Sequence, residues 1–99
     1  MIKYDCIFFD RDGTINYDPG YIPDVNSFKF FHFTMKALCL FKNVSNEFII
    51  ITNQSGVGRG LIEEKNLLLI NDFIMKELTE NNIPLSKIYY CTDHPRNAS

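Results

Sequence analysis

Phe9-Asp10-Arg11-Asp12-Gly13-Thr14 is the stretch on which the reading of this chain turns. It closes a short apolar run, Tyr4 to Phe9, that is too brief for a helix and gives way at once to polar residues. That profile predicts a strand buried on both faces. A strand ending in a carboxylate delivers it to the carboxyl edge of a sheet, where open α/β folds bind ligands. Two aspartates one residue apart on the turn leaving that strand can divide the labour of phosphate-ester cleavage. Asp10 would attack phosphorus and form an aspartyl-phosphate. Asp12 would protonate the leaving oxygen, then deprotonate the water that releases phosphate. A hard cation, Mg²⁺, is needed to hold Asp10 beside an anionic substrate and screen their repulsion. Gly13 permits the tight turn that aims both carboxylates at one point. Taken alone, the segment also fits a polar loop whose aspartates only satisfy backbone amides.

Outward from this segment, Asp10 to Asp24 reads as loop, punctuated by Gly13, Pro19, Gly20 and Pro23. From Thr34 to Asn43 the apolar residues Met35, Leu38 and Phe41 step by three, which predicts an amphipathic helix. Glu47 to Thr52 carries Phe48, Ile49, Ile50 and Ile51, a second buried strand. A longer helix is predicted from Glu63 to Asn81, with Leu67, Ile70, Ile74 and Leu78 on one stripe. Pro84 stops it, and Lys87 to Cys91 forms a third short strand. Strand, helix, strand, helix, strand predicts an α/β domain with a parallel sheet, three strands and two main helices over residues 1–99. Right-handed crossovers would lay both helices against that sheet. So thin a sheet calls for a covering partner or for further sequence.

The second strand ends in Ile51-Thr52-Asn53-Gln54-Ser55-Gly56. The Thr52 hydroxyl can donate to a phosphoryl oxygen. Backbone amides of the turn, with Asn53 and Ser55, supply further donors for anionic oxygens. Gly56, Gly58 and Gly60 let backbone approach a ligand closely. Arg59 suits either a second phosphate or plain solvation, and the run by itself also fits an ordinary glycine-rich connection.

Composition narrows the class. The 99 residues suffice for one small domain, and 45% hydrophobic with 22% charged residues is a globular balance. No apolar run nears the roughly 20 residues of a membrane span, and the N-terminus has no signal-peptide core. A cytoplasmic protein is expected, with no membrane partner. A net charge of −2 without a basic cluster excludes a nucleic-acid footprint. Cys6, Cys39 and Cys91 are odd in number and far apart, which argues against a disulfide framework; Cys6 and Cys39 read as small buried thiols.

Together the two strand exits resemble the haloacid-dehalogenase phosphatase superfamily, whose first motif, Asp-x-Asp-Gly-Thr, stands at Asp10 to Thr14 and whose second stands at Thr52. Phe8 to Asn16, then Asp18, Gly20 and Tyr21, Thr52 to Gly56 and Tyr89-Tyr90-Cys91 look like one branch of it. That branch holds the D-glycero-D-manno-heptose-1,7-bisphosphate 7-phosphatases and the histidinol-phosphate phosphatases. The resemblance runs through nearly all of the chain. It implies a Rossmann-like fold and a Mg²⁺-dependent phosphatase acting on a phosphorylated small molecule, a sugar bisphosphate in first place. By position, it implies Asp10 as nucleophile and metal ligand, and Asp12 as acid/base whose main-chain carbonyl also binds the metal. Asp18, Pro19, Gly20 and Tyr21 match a substrate-contacting loop, and Thr52, Asn53, Gln54 and Ser55 the phosphate-binding turn. Arg11 and Asn16 point to this branch within the superfamily.

The chain departs from that pattern twice. The branch has a zinc loop that opens Cys-x-His and closes with a Cys-x-Cys pair. Cys91 matches its first ligand, Asp93 stands in the place of the histidine, His94 is displaced by one, and the closing cysteines are absent. Structural zinc needs four ligands, so tight Zn²⁺ binding is not expected. The later basic residue and acidic metal ligands of the family also have no counterpart, so the chain matches the N-terminal portion of such a domain. Histidinol phosphate is the nearest alternative substrate. A truncated fragment that only binds phosphorylated ligands, or a separate chain that completes the site, are the other readings.

Overall fold

The structure is a computed structural model, and it describes residues 3–92. Strand β1 (Ile7–Asp10) is followed by a long loop with a 3-10 turn (Val25–Ser27), helix α1 (Thr34–Phe41) and strand β2 (Phe48–Asn53). A one-turn helix α2 (Ser55–Gly58), helix α3 (Glu64–Glu80) and strand β3 (Leu85–Cys91) follow among the described residues. The three strands form one parallel sheet in the order β1-β2-β3. β1 pairs with β2 from Ile7 against Phe48 to Asp10 against Ile51. β3 runs beside β2 as far as Cys91 against Asn53, after a register shift past Phe48.

The expected elements are present, with shifted ends that have local causes. β1 starts at Ile7, not Tyr4, because the amides of Lys3 and Tyr4 both donate to the Val44 carbonyl at 2.9 Å instead of joining the ladder. α1 gives way at Phe41 to a tighter turn, in which Lys42, Asn43 and Val44 donate back to Cys39, Leu40 and Phe41. α3 ends where Asn82 enters the left-handed region at φ 60°. There Ile83 donates to Leu78 and Asn82 to Thr79, the paired bonds that close a helix before an extended segment. α2 falls within the stretch expected as a glycine-rich loop.

Both crossovers step in the same direction along the sheet, so right-handedness sends α1 and α3 to the same face. On that face Phe48 and Ile50 are sealed by Leu38 of α1 and by Ile70, Ile74 and Leu78 of α3. The long loop after β1 folds back onto this core through Ile15, Ile22 and Phe28. The opposite face stays open among the described residues. Phe8 is 59% exposed, Ile51 45% and Tyr89 49%. β1 is therefore covered on one face rather than on both.

No helix among the described residues is long and apolar enough to cross a membrane. The cysteines are free, and Cys39, expected as a buried thiol, is exposed while Cys6 is half-buried. The apolar spacing of α1 buries Leu38, while its neighbour Cys39 stays exposed, its thiol 3.9 Å from the Asn81 carbonyl.

Candidate active site

Because β1 and β2 are parallel, their carboxyl ends reach the same rim of the sheet, with Asp10 in register beside Ile51 and one step short of Thr52. The cleft between these tips has a volume of about 360 Å³. Asp10, Asp12 and Arg11 line it from the first strand's exit, Asp18, Gly20 and Tyr21 from the long loop, and Thr52 to Ser55 from the second strand's exit. Sequence reasoning placed all of these except Arg11 in the site by role. Pro19, the remaining residue expected to contact substrate, does not line the cleft.

The turn after β1 is built to present two kinds of carboxylate. Gly13 at φ 84° lets the chain reverse, and its amide donates to the Asn16 carbonyl at 2.8 Å. Thr34, at the start of α1, pins the turn by donating its hydroxyl to the Ile15 carbonyl at 2.6 Å. Asp10 is exposed, and its carboxylate makes no hydrogen bond or ion pair among the described residues.

Asp12 is the opposite. Arg11, fully buried, donates Nε to Oδ1 at 2.8 Å and Nη2 to Oδ2 at 3.1 Å. Asn16 donates Nδ2 to Oδ1 at 2.9 Å, and Gln54 donates Nε2 to Oδ2 at 2.8 Å. Burial pushes the Asp12 carboxyl upward, but the hydrogen bonds from Arg11 and Asn16, the Arg11 charge and the Gln54 amide outweigh it. They hold it below the ordinary carboxylate range. The Arg11 guanidinium lies over the Phe28 ring, 5.8 Å from its centroid.

Gln54 joins the two strand exits. The same Nε2 that reaches Asp12 also donates to the Thr52 hydroxyl oxygen at 2.7 Å. Thr52 therefore accepts from Gln54 and keeps its own hydrogen to donate elsewhere. The Gln54 side chain is 4% exposed. Its amide group is committed to organising the site, while Asn53 stands exposed at the rim and Ser55 half-buried. Sequence reasoning named Gln54 as a phosphate contact and saw Arg11 and Asn16 only as markers of a branch. The available signal was chemical: buried donors flanking an acidic motif must go to its carboxylate or stay unpaired.

The donor set fits a hard cation of the Mg²⁺ type. Asp10 offers a free carboxylate, and the Asp12 main-chain carbonyl accepts none of the loop's backbone hydrogen bonds. Oxygen donors at one point suit such an ion, which retains several waters of its own. For zinc, Cys91 is exposed at the end of β3, and Asp93 and His94 lie outside the described residues. Among the described residues no group of three His, Cys, Asp or Glu side chains is placed to hold a metal.

No family model matches the chain. Individual proteins do. It is 36% identical over 90 residues to the D-glycero-beta-D-manno-heptose-1,7-bisphosphate 7-phosphatase of Photorhabdus laumondii, covering 91% of this chain and 48% of that protein. The Haemophilus influenzae enzyme of the same name is 39% identical over 89 residues, which is 90% of this chain and 48% of the relative. In three dimensions the chain superposes on the D,D-heptose 1,7-bisphosphate phosphatase of B. bronchiseptica, solved with magnesium and phosphate. That match has a TM-score of 0.84 and 23% identity, over 97% of this chain and 54% of the other. The fold of the chain is that of HAD-like phosphatases. A HAD-like phosphatase of Mesorhizobium loti gives the same fold at a TM-score of 0.80 and 24% identity, over 100% of this chain and 47% of that one. The chain spans about half the length of the curated relatives it matches.

Proposed function

We propose that this chain carries the nucleophile half of a Mg²⁺-dependent phosphate monoester hydrolase acting on a sugar bisphosphate, with the 7-phosphate of a heptose 1,7-bisphosphate as the reacting group. The observation that carries the reading is the meeting of an unencumbered Asp10 and a donor-ready Thr52 at one rim, joined beneath by the Gln54 bridge. The names of the curated relatives support the choice of substrate.

The Asp10 carboxylate and the Asp12 main-chain carbonyl would hold a divalent ion, which when bound would screen the repulsion between Asp10 and the phosphoryl oxygens. An Asp10 oxygen attacks phosphorus, the P–O bond to the sugar breaks, and the leaving oxygen takes its proton from Asp12. Thr52 donates its hydroxyl hydrogen to a phosphoryl oxygen, joined by main-chain amides of the turn that follows. Water then attacks the aspartyl-phosphate, giving its proton to Asp12 and freeing Asp10 and inorganic phosphate. The lowered Asp12 pKa leaves it ionised at rest, with no proton to give. A phosphate dianion docking beside it raises that pKa by like-charge repulsion, so protonation is coupled to substrate arrival. A basic residue and an acidic ligand from sequence corresponding to the other half of the relatives, in the same or a separate chain, complete the site. The substrate is a soluble sugar phosphate of the cytoplasm.

The test is acid-labile incorporation of phosphate from labelled substrate into the protein completed with that second half. Asp10→Asn should abolish labelling and lower turnover by about a thousandfold or more. Undiminished turnover in Asp10→Asn would overturn the assignment.

A further inference from the structure

We propose that Arg59, bonded to the cleft residue Tyr21, is an anion subsite for a second phosphate group on the same substrate. The inference rests on the phosphatase reading and adds to it the means of selecting a bisphosphate over a monophosphate. Tyr21 lines the cleft, and its ring is seated on Gly56. A Cβ at position 56 would come within 2.7 Å of Tyr21 Cδ1 and 2.8 Å of Ile62 Cδ1, so glycine is what admits the ring. The seated ring presents its hydroxyl to Arg59, whose Nη1 donates to it at 2.7 Å. The guanidinium carbon stands 5.9 Å from the ring centroid, a stacked cationic arrangement that limits its freedom.

Arg59 is exposed and forms no ion pair with a carboxylate among the described residues. The arginine that does line the cleft, Arg11, is buried and spent on Asp12. The remaining charged residues lining the cleft, Asp10, Asp12 and Asp18, are acidic and repel a polyanion. A substrate with one phosphate at Asp10 would reach, in Arg59, a cation bonded to the cleft residue Tyr21, with donors still unspent. Guanidinium geometry suits a phosphate better than a hydroxyl or an amide. If Arg59 served only to pin the loop that carries Tyr21, its loss would weaken every ligand alike.

That difference sets the experiment. In an Asp10→Asn background of the protein completed with that second half, with magnesium present, heptose 1,7-bisphosphate and heptose 7-phosphate are titrated calorimetrically with and without Arg59→Gln. The expected result is a loss of about tenfold to a hundredfold for the bisphosphate and at most about twofold for the 7-phosphate. Arg59→Lys should keep part of the preference, and Tyr21→Phe should erode it without abolishing it; these milder changes carry the test if Arg59→Gln fails to fold. Equal losses for the two ligands, or none, overturn the subsite. If the Arg59 chain binds both ligands with the same affinity, this inference falls while the phosphatase reading stands. If it binds neither, both fall together.

Discussion

The two faces of the sheet are made of the same kinds of residue and meet opposite fates. Phe48 and Ile50 of β2 are 1% and 0% exposed, whereas Ile51, the next residue on, is 45% exposed and Phe8, on the same face in β1, 59%. Alternation along one strand puts these neighbours on different sides, and both helices lie on the first side only. The site straddles the same divide. Thr52 follows Phe48 and Ile50 onto the covered face, where Gln54 and Arg11 meet Asp12 in a buried polar knot. Asp10 pairs with Ile51 on the open face and has no side-chain partner among the described residues. Rigid support is thus concentrated on one side of the sheet and the bare nucleophile on the other. An open apolar sheet face of this kind is also where self-association is expected.

Four substitutions would break or sharpen that contrast. Ile50→Ala empties the centre of the covered face and should cost about 3–4 kcal/mol in urea unfolding. A loss under about 1 kcal/mol would mean the covered face is not the core. Arg11→Met removes the buried partner of Asp12 and should cost about 2–3 kcal/mol at pH 7. Its pH dependence has a fixed sign. The folded Asp12 pKa is depressed, so the stability it contributes is present above the unfolded value of about 4 and is lost as pH falls through the lower folded value. The gap between Arg11→Met and the parent chain should therefore narrow on acidification, and unfolding curves from pH 7 to pH 2.5 would register this. A gap that stays constant would dissociate Arg11 from Asp12.

Gln54→Leu cuts the bridge between the two strand exits and should cost about 1 kcal/mol. It should also move the Asp12 carboxyl back up towards its ordinary range, as read from carboxylate carbon shifts in an NMR titration. Smallest is Ile51→Thr on the open face, expected within about 0.5 kcal/mol of the parent. It should instead reduce self-association in sedimentation velocity; a large destabilisation would show that this face is covered in solution.

Much of this was legible in the residues. The stripe Leu67, Ile70, Ile74 and Leu78 predicted α3 to within one residue at each end, because spacing on a helix follows from its pitch alone. The acidic pair and the Thr52 turn were placed at strand exits, and the structure brings them to one cleft. The ends of β1 and α1 were not legible, since they depend on where the Lys3, Tyr4 and Lys42 amides find carbonyls. Nor was α2, whose glycines read as a loop until Tyr21 packed against Gly56.

What the sequence determined by itself was the order of strands and helices and the chemistry at their exits. Apolar period and short-range motif are properties of neighbours along the chain. Only the tertiary structure decided that Gln54 serves Asp12 and Thr52, that Arg11 is buried beneath the cleft, and that one sheet face is left open. Each of these joins segments far apart in sequence, or depends on which side of the sheet a crossover takes. Hydrogen bonds across 42 residues, such as that from Gln54 to Asp12, leave no periodic trace in the chain that forms them.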